Sequence, residues 1–216
     1  MSQNSCLLHE VVDSMLDIRD FIPKAILKRW ASYTEGKKRP REPEQLELAC
    51  DERGCKISYN MTISPKVGSS YVRAVSVSTP RFLEYDARFN AAVVAYVCEG
   101  DYPKRANGVR IGLNNSDWRI VRLVVNEFEK LGLRREKWNV RLELYQGTHD
   151  EATEKEWWSE KLEIPLSCFT TPTWFEGTKG KEEFSPHGRA RIQRSSTIFA
   201  AVIDSTCGKV VRDLLG

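Results

Sequence analysis

Three tracts in the second half of the chain alternate apolar and polar residues without a break. In the first, Val109, Ile111 and Leu113 oppose Arg110, Gly112 and Asn114. In the second, Val140, Leu142 and Leu144 oppose Asn139, Arg141, Glu143 and Tyr145. In the third, Ala190 and Ile192 oppose Arg189, Arg191 and Gln193. Successive side chains of a strand point to opposite faces, so each tract is predicted to be a strand with one face for a core and one for water. Between the tracts the period changes. Val121, Val124, Val125, Phe128 and Leu131 recur at helical spacing and stop at Gly132, with Ser116 or Asn115 as the expected cap and Asp117 in the first turn. Asp150 opens a helix through Trp157 and Trp158 that ends before Pro165, and Ile198, Phe199, Val202, Ile203, Val210, Val211 and Leu214 form a closing helix. The order strand, helix, strand, helix, loop, strand, helix predicts an α+β fold, with an antiparallel sheet backed by helices.

The polar faces are biased. Strand positions facing water more often take Thr, Lys and Glu, whereas these carry Arg, Asn, Gln and Tyr. Arg reaches guanine edges and phosphates, and Asn and Gln reach adenine edges. The predicted contact set for duplex DNA is therefore Arg110, Asn114, Asn139, Arg141, Tyr145, Arg189, Arg191 and Gln193. The net charge of +3, from 33 Lys and Arg against 30 Asp and Glu, means that such a site needs segregated charge rather than a basic chain.

Ahead of the first strand an apolar helix ends in Val94-Ala95-Tyr96-Val97-Cys98-Glu99-Gly100-Asp101-Tyr102. Two carboxylates flank a glycine at its exit. Behind them Ala91, Ala95 and Cys98 share one helical face, and small residues let a second helix approach closely. Acids at the exit of such a pair bring one carboxylate per helix to a shared divalent metal. Lys104 and Arg105 follow a few residues on, where Lys104 would screen phosphate charge and Arg105 would contact DNA.

This stretch resembles the LAGLIDADG motif of homing endonucleases. Glu99-Gly100 takes the place of the motif's final acid-glycine pair; in a second register Asp101 is the final acid and Tyr102 replaces the last glycine. Further tracts follow the pattern of prokaryotic, single-motif members in order and spacing: Asn115-Ser116-Asp117 opening a helix, Arg141-Leu142-Glu143-Leu144-Tyr145, Trp158-Ser159, Ile164-Pro165 with Phe169 beyond, and His187-Gly188-Arg189. The resemblance covers residues 88–216. Trp118 departs from the proline common at its position, and Val94 is bulkier than the glycine or alanine expected where two helices pack tightly.

The resemblance implies a single LAGLIDADG-type αββαββα domain over residues 86–216, with a saddle-shaped antiparallel sheet. It implies Mg2+ as cofactor, held by Glu99 with Asp101 and the Gly100 backbone, and Glu99, Asp101 and Lys104 as catalytic residues. One motif per chain implies a homodimer through Ala91, Ala95 and Cys98, reading a near-palindromic site. Phe199-Ala200-Ala201-Val202-Ile203-Asp204 looks like a second motif copy, but too few residues follow it, so it is read as the last helix. The implied function is binding and metal-dependent cleavage of double-stranded DNA; the alternative is a catalytically inactive DNA-binding regulator on the same fold. No small-molecule substrate is expected.

Residues 1–85 are predicted to be a mainly helical extension. Leu7, Leu8, Val11, Val12, Met15 and Leu16 suggest one helix, and Pro23 through Ala31 a second, ended by Gly36. Lys37-Lys38-Arg39-Pro40-Arg41 is a basic linker. Glu44 to Glu52 is read as a helix, with Ser70 to Ser78 as a strand; a helix-turn-helix through Leu46, Ala49 and Gly54 is the alternative, its second helix falling on the β-branched run Ile57–Ile63. The six cysteines are expected to be reduced thiols of a cytoplasmic protein, since Cys50 and Cys55 lack the second pair of a zinc site. No run approaches the roughly 18 apolar residues of a membrane span, and the N-terminus lacks the pattern of a secretion signal. His187 is read as a turn residue rather than a general base.

Overall fold

The computed structural model describes residues 15–17, 44–52, 54–66, 69–84, 86–101, 110–176 and 185–215. Nine strands and four α-helices occur among them: β1 Met15–Asp17, β2 Glu44–Cys50, β3 Cys55–Lys66, β4 Ser69–Thr79, β5 Phe82–Glu84, α1 Ala87–Glu99, β6 Arg110–Asn115, α2 Trp118–Glu129, β7 Asn139–Tyr145, α3 Glu151–Leu162, β8 Thr173–Phe175, β9 Arg189–Ser195 and α4 Thr197–Leu215. The fold is α+β. The main sheet has the order β6-β9-β7-β8. β9 pairs antiparallel with both β6 and β7, while β8 runs parallel to β7 at the edge.

The alternating tracts form the three central strands, and their apolar faces are the core. Ile111, Leu113, Val140, Leu142, Leu144, Ala190 and Ile192 are all buried, together with Val121, Val124, Val125, Phe128 and Leu131 of and just after α2. Tyr96 of α1 meets Phe128 of α2 edge to face, with ring centroids 5.2 Å apart. Each of α1, α2 and α3 begins at an aspartate whose side chain accepts a backbone N–H: Asp86 from Phe89, Asp117 from Arg119 and Asp150 from Thr153. These bonds satisfy donors that the first helical turn leaves without partners. The Phe89 N–H holds the Asp86 carboxyl below its ordinary range, as the Arg119 guanidinium does for Asp117 and the Thr153 N–H for Asp150. A carboxyl with a depressed folded-state pKa stabilises above its unfolded pKa and loses that contribution as pH falls through the folded value. The three caps are therefore intact at neutral pH and weaken only in acid, below about pH 4.

The observed order of described elements from α1 onward is α-β-α-β-α-β-β-α, not αββαββα, and the sheet is not purely antiparallel. The sequence reads residues 166–188 as loop; Thr173–Phe175 instead completes the sheet, because its backbone pairs with Glu143–Tyr145, a contact without a local signature in three residues.

The N-terminal part departs furthest from expectation. The helices expected in residues 1–36 lie outside the described residues, apart from Met15–Asp17, which is a strand paired with Phe82–Glu84 rather than a helical turn. Glu44–Cys50 is a strand and not a helix, and residues 55–66 are its antiparallel partner, so no helix-turn-helix forms here. Pairing to a β-branched partner overrides the helix propensity of Glu44–Ala49, and Leu46, Leu48 and Cys50 alternate with Gln45, Glu47 and Ala49 in the period of a strand. The described residues 44–84 contain strands only, contrary to a mainly helical extension. Cys55, Ile57, Val77 and Leu83 join the same buried cluster as Phe89 and Phe128.

Cys50 and Cys55 are joined in a disulfide, correcting the expectation of reduced thiols. They face one another across the β2–β3 pair, at a Cα separation of 4.1 Å. Strand register, invisible in spacing alone, brings them together. Reducing this bond is expected to lower the unfolding free energy by about 2 kcal/mol, the chain-entropy value for so short a loop. Denaturation midpoints with and without reductant measure it, and equal midpoints would show that register alone holds the pair. Among the described residues no helix is long and apolar enough to cross a membrane.

Candidate nucleic-acid interface

The polar sides of β6, β9 and β7 form one continuous surface because the three strands are neighbours in register. Asn114, Arg191 and Arg141 lie side by side across the sheet, as do Gly112, Gln193 and Asn139. Arg189 faces Glu143, and Arg110 faces Ser195. Along each strand these positions alternate with buried ones, and all eight predicted contact residues are exposed or half-buried. Tyr145 closes one end, beside Phe175 and His149 with ring centroids at 6.2 and 5.8 Å.

Four guanidinium groups share this surface with two carboxylates, those of Asp101 and Glu143. Arg141 and Arg191 sit directly opposite one another on adjacent strands. Like charges in that position destabilise a sheet. Arg191 is relieved by an ion pair with Asp101 at 3.2 Å. Arg110, Arg141 and Arg189 make no ion pair among the described residues. Glu143 accepts a hydrogen bond from Asn114 Nδ2 at 3.0 Å.

The exit of α1 is fastened to this surface. The Gly100 N–H donates to the Tyr96 carbonyl at 2.8 Å, and the Asp101 N–H to the Gly112 carbonyl at 2.8 Å. A Cβ on Gly100 would lie 2.5 Å from both the Tyr96 ring and its carbonyl oxygen, so only glycine lets the chain leave the helix this closely. A Cβ on Gly112 would lie 2.4 Å from Asp101 Oδ2. Gly112 therefore leaves open the space in which the Asp101 carboxylate meets Arg191. The sequence signals this partnership only as a glycine on an otherwise polar strand face, because Asp101 and Arg191 lie 90 positions apart.

Glu99 is exposed and makes no side-chain hydrogen bond or ion pair among the described residues. Its hard carboxylate oxygens suit Mg2+, which usually takes one or two carboxylates together with phosphate and water. Among the described residues no group of three or more His, Cys, Asp or Glu side chains comes together. One protomer thus offers Glu99 as a free acid and Asp101 as an acid already paired. Lys104 and Arg105 lie outside the described residues.

On α1, Phe89, Ala92, Val93 and Tyr96 face the core, while Ala91 and Cys98 are exposed and Ala95 is half-buried against it. Val94, on the same outer side, is 46% exposed. The outward stripe is therefore Ala91, Val94 and Cys98, with Ala95 at its margin. His187 sits in the turn before β9, stacked on Trp157 at 3.7 Å, with Nδ1 3.0 Å from Glu154 Oε2. Its carbonyl accepts from Trp158 Nε1 at 2.7 Å. These bonds anchor a turn.

The chain matches no protein-family model, no curated protein and no solved structure.

Proposed function

We propose that this protein binds double-stranded DNA on the polar face of β6, β9 and β7, and that it cleaves the duplex as a homodimer. The observation that carries the reading is the cross-strand Arg141–Arg191 pair within a surface of four arginines. Adjacent guanidinium groups on one face are costly in water and favourable against phosphate, which neutralises them and releases counterions on binding. Asn114, Asn139 and Gln193 supply the amides that read base edges beside them.

Cleavage is assigned to Glu99, at the exit of α1, in keeping with the resemblance to LAGLIDADG endonucleases. Glu99 from each of two protomers would hold Mg2+, which when bound orients water and stabilises the leaving oxygen. Asp101 positions Arg191 and in turn moderates its charge. The two-fold contact is assigned to the outward stripe of α1, where an exposed valine among small residues leaves apolar area without a partner among the described residues. Val94→Lys is expected to give a folded monomer and to abolish tight binding to a palindromic duplex. Ala95→Phe is a poorer probe because Ala95 also touches the core. Sedimentation of Val94→Lys at micromolar concentration measures this, and an unchanged oligomeric state would remove α1 from the interface.

A binding-only protein on the same surface is the second reading. The ion pair of Asp101 with Arg191 is compatible with it, since Asp101 is engaged on the binding surface rather than held free for a metal. Nicking of supercoiled plasmid with Mg2+ and with EDTA separates the two. Metal-dependent nicking supports the nuclease, whereas salt-dependent duplex binding without nicking under any divalent ion supports the regulator. Absence of duplex binding overturns both.

A further inference from the structure

We propose that Tyr145, His149 and Phe175 form an aromatic platform on which one unpaired nucleobase of the bound DNA stacks, at the β7–β8 end of the arginine face. The inference rests on the reading that this face binds DNA, and it narrows the substrate to duplex that carries an unpaired base.

The platform shares its face with the arginines. The parallel register sets Thr173 beside Glu143 and Phe175 beside Tyr145. Neighbours in register point to the same side of a sheet, so Thr173 and Phe175 extend the polar face that Arg141, Glu143 and Tyr145 begin. Burial follows this alternation: Thr173 and Phe175 are exposed, whereas Trp174 between them is half-buried against the core. Phe175 is 43% exposed, an apolar ring on a face that otherwise carries Arg, Asn, Gln and Thr.

The three rings are held in place by backbone groups. The Tyr145 N–H donates to His149 Nδ1 at 3.0 Å, and His149 Nε2 lies 3.2 Å from the Pro186 carbonyl oxygen. Each ring nitrogen of His149 therefore already faces a backbone group, and the ring offers its face. The Gln146 N–H donates to the Phe175 carbonyl at 2.9 Å, and the His149 N–H to the Tyr145 carbonyl at 3.2 Å. The Phe175 and His149 rings are tilted from the Tyr145 ring by 46° and 33°. These tilts make a shallow floor rather than a parallel slot, with Phe175 as its open end.

The neighbouring charge names the occupant. Arg141 precedes Tyr145 on the same side of β7, about 13 Å away at strand spacing. Arg189 pairs with Glu143, one step nearer the platform. The acid at that step, Glu143, is drawn toward β6 by its hydrogen bond from Asn114 Nδ2. Guanidinium groups within a few nucleotides of an aromatic floor suit an unpaired stretch, since the cations track the phosphates and the ring takes the base. A paired base has both faces covered by its neighbours in the stack, and exposing one costs pairing and stacking energy. The floor therefore selects a base that is already unpaired, at a strand end or extruded from the helix.

The test titrates the full-length protein with one duplex in three forms: blunt, with a single-stranded thymidine extension, and with an internal unpaired thymidine. Each unpaired form has an abasic counterpart, which keeps the phosphates and lacks the base. Wild type should bind at least one thymidine form about tenfold more tightly than its abasic counterpart, as expected for one stacked base. A gain with the extension assigns a strand end, and a gain with the internal form assigns an extruded base. A 2-aminopurine at the unpaired position should lose fluorescence as it stacks. Phe175→Ala should abolish the gain and the quenching and keep blunt-duplex binding, whereas Phe175→Trp should retain all three. Where Phe175→Ala lacks a cooperative thermal transition, Phe175→Ile decides, since it keeps strand propensity and removes the flat ring. Equal affinity of wild type for thymidine and abasic forms would overturn the proposal, as would a gain that survives loss of the ring, or variants that alter only the oligomeric state. Blunt-duplex binding without a base-dependent gain removes the platform and leaves the duplex reading. A base-dependent gain without blunt-duplex binding does the reverse, and if wild type binds no form, both fall.

Discussion

Glu99→Gln is expected to abolish Mg2+-dependent nicking of plasmid DNA while leaving duplex affinity nearly unchanged. The substitution keeps shape and hydrogen-bonding capacity and removes the charge that a hard cation requires. A metal supplies several kcal/mol of transition-state stabilisation, so its loss slows cleavage at least about a hundredfold. Affinity is spared because Glu99 makes no bond to the arginine surface and the binding charge sits on the strands. Asp101→Asn provides the contrast. Asp101 is ion-paired to Arg191, so its neutralisation should alter DNA affinity and salt dependence more than the chemical step. Full cleavage by Glu99→Gln, with Asp101→Asn inactive, would reassign the reactive acid to Asp101.

The second large effect concerns the two facing arginines. Arg141→Ala should weaken duplex binding by about 1–3 kcal/mol, roughly ten- to hundredfold, if its guanidinium reads a base. It should not reduce thermal stability, because it removes a like-charge neighbour from Arg191. Arg191→Ala should weaken binding further, since it deletes one positive charge and exposes the Asp101 carboxylate to phosphate. Adding Asp101→Asn to Arg191→Ala should then restore part of the loss. This coupling is specific to a shared surface, because residues bound to one another do not act additively. Independent effects of Arg191→Ala and Asp101→Asn, measured by titration of labelled duplex at fixed salt, would mean that the pair does not face DNA.

The chain shows how far local pattern reaches. Strict alternation in residues 109–114, 139–145 and 189–193 determined three strands and assigned Arg110, Arg141, Arg189 and Arg191 to their polar sides, because the two-residue period fixes facing whatever the partner strand is. Helical spacing around Val121–Leu131 determined α2, and the aspartate at 150 determined the start of α3, because caps and apolar stripes act within a few residues; the cap of α2 is Asp117 itself, which binds the Arg119 N–H, rather than Ser116 or Asn115. The exit of α1 at Glu99-Gly100-Asp101 was equally legible.

Strand order was not legible. Only the folded sheet puts β9 between β6 and β7, and so sets Arg191 against Arg141 and under Asp101. Those contacts join residues 50 to 90 positions apart, and no local period encodes which strand pairs with which. The same holds at the N-terminal side, where Glu44–Cys50 has residues that serve a helix as well as a strand, and pairing with Cys55–Asn60 decides. That register also brings Cys50 to Cys55. Local sequence thus fixed which face each side chain takes, whereas long-range backbone hydrogen bonding, which depends on partners distant in the chain, decided which faces meet.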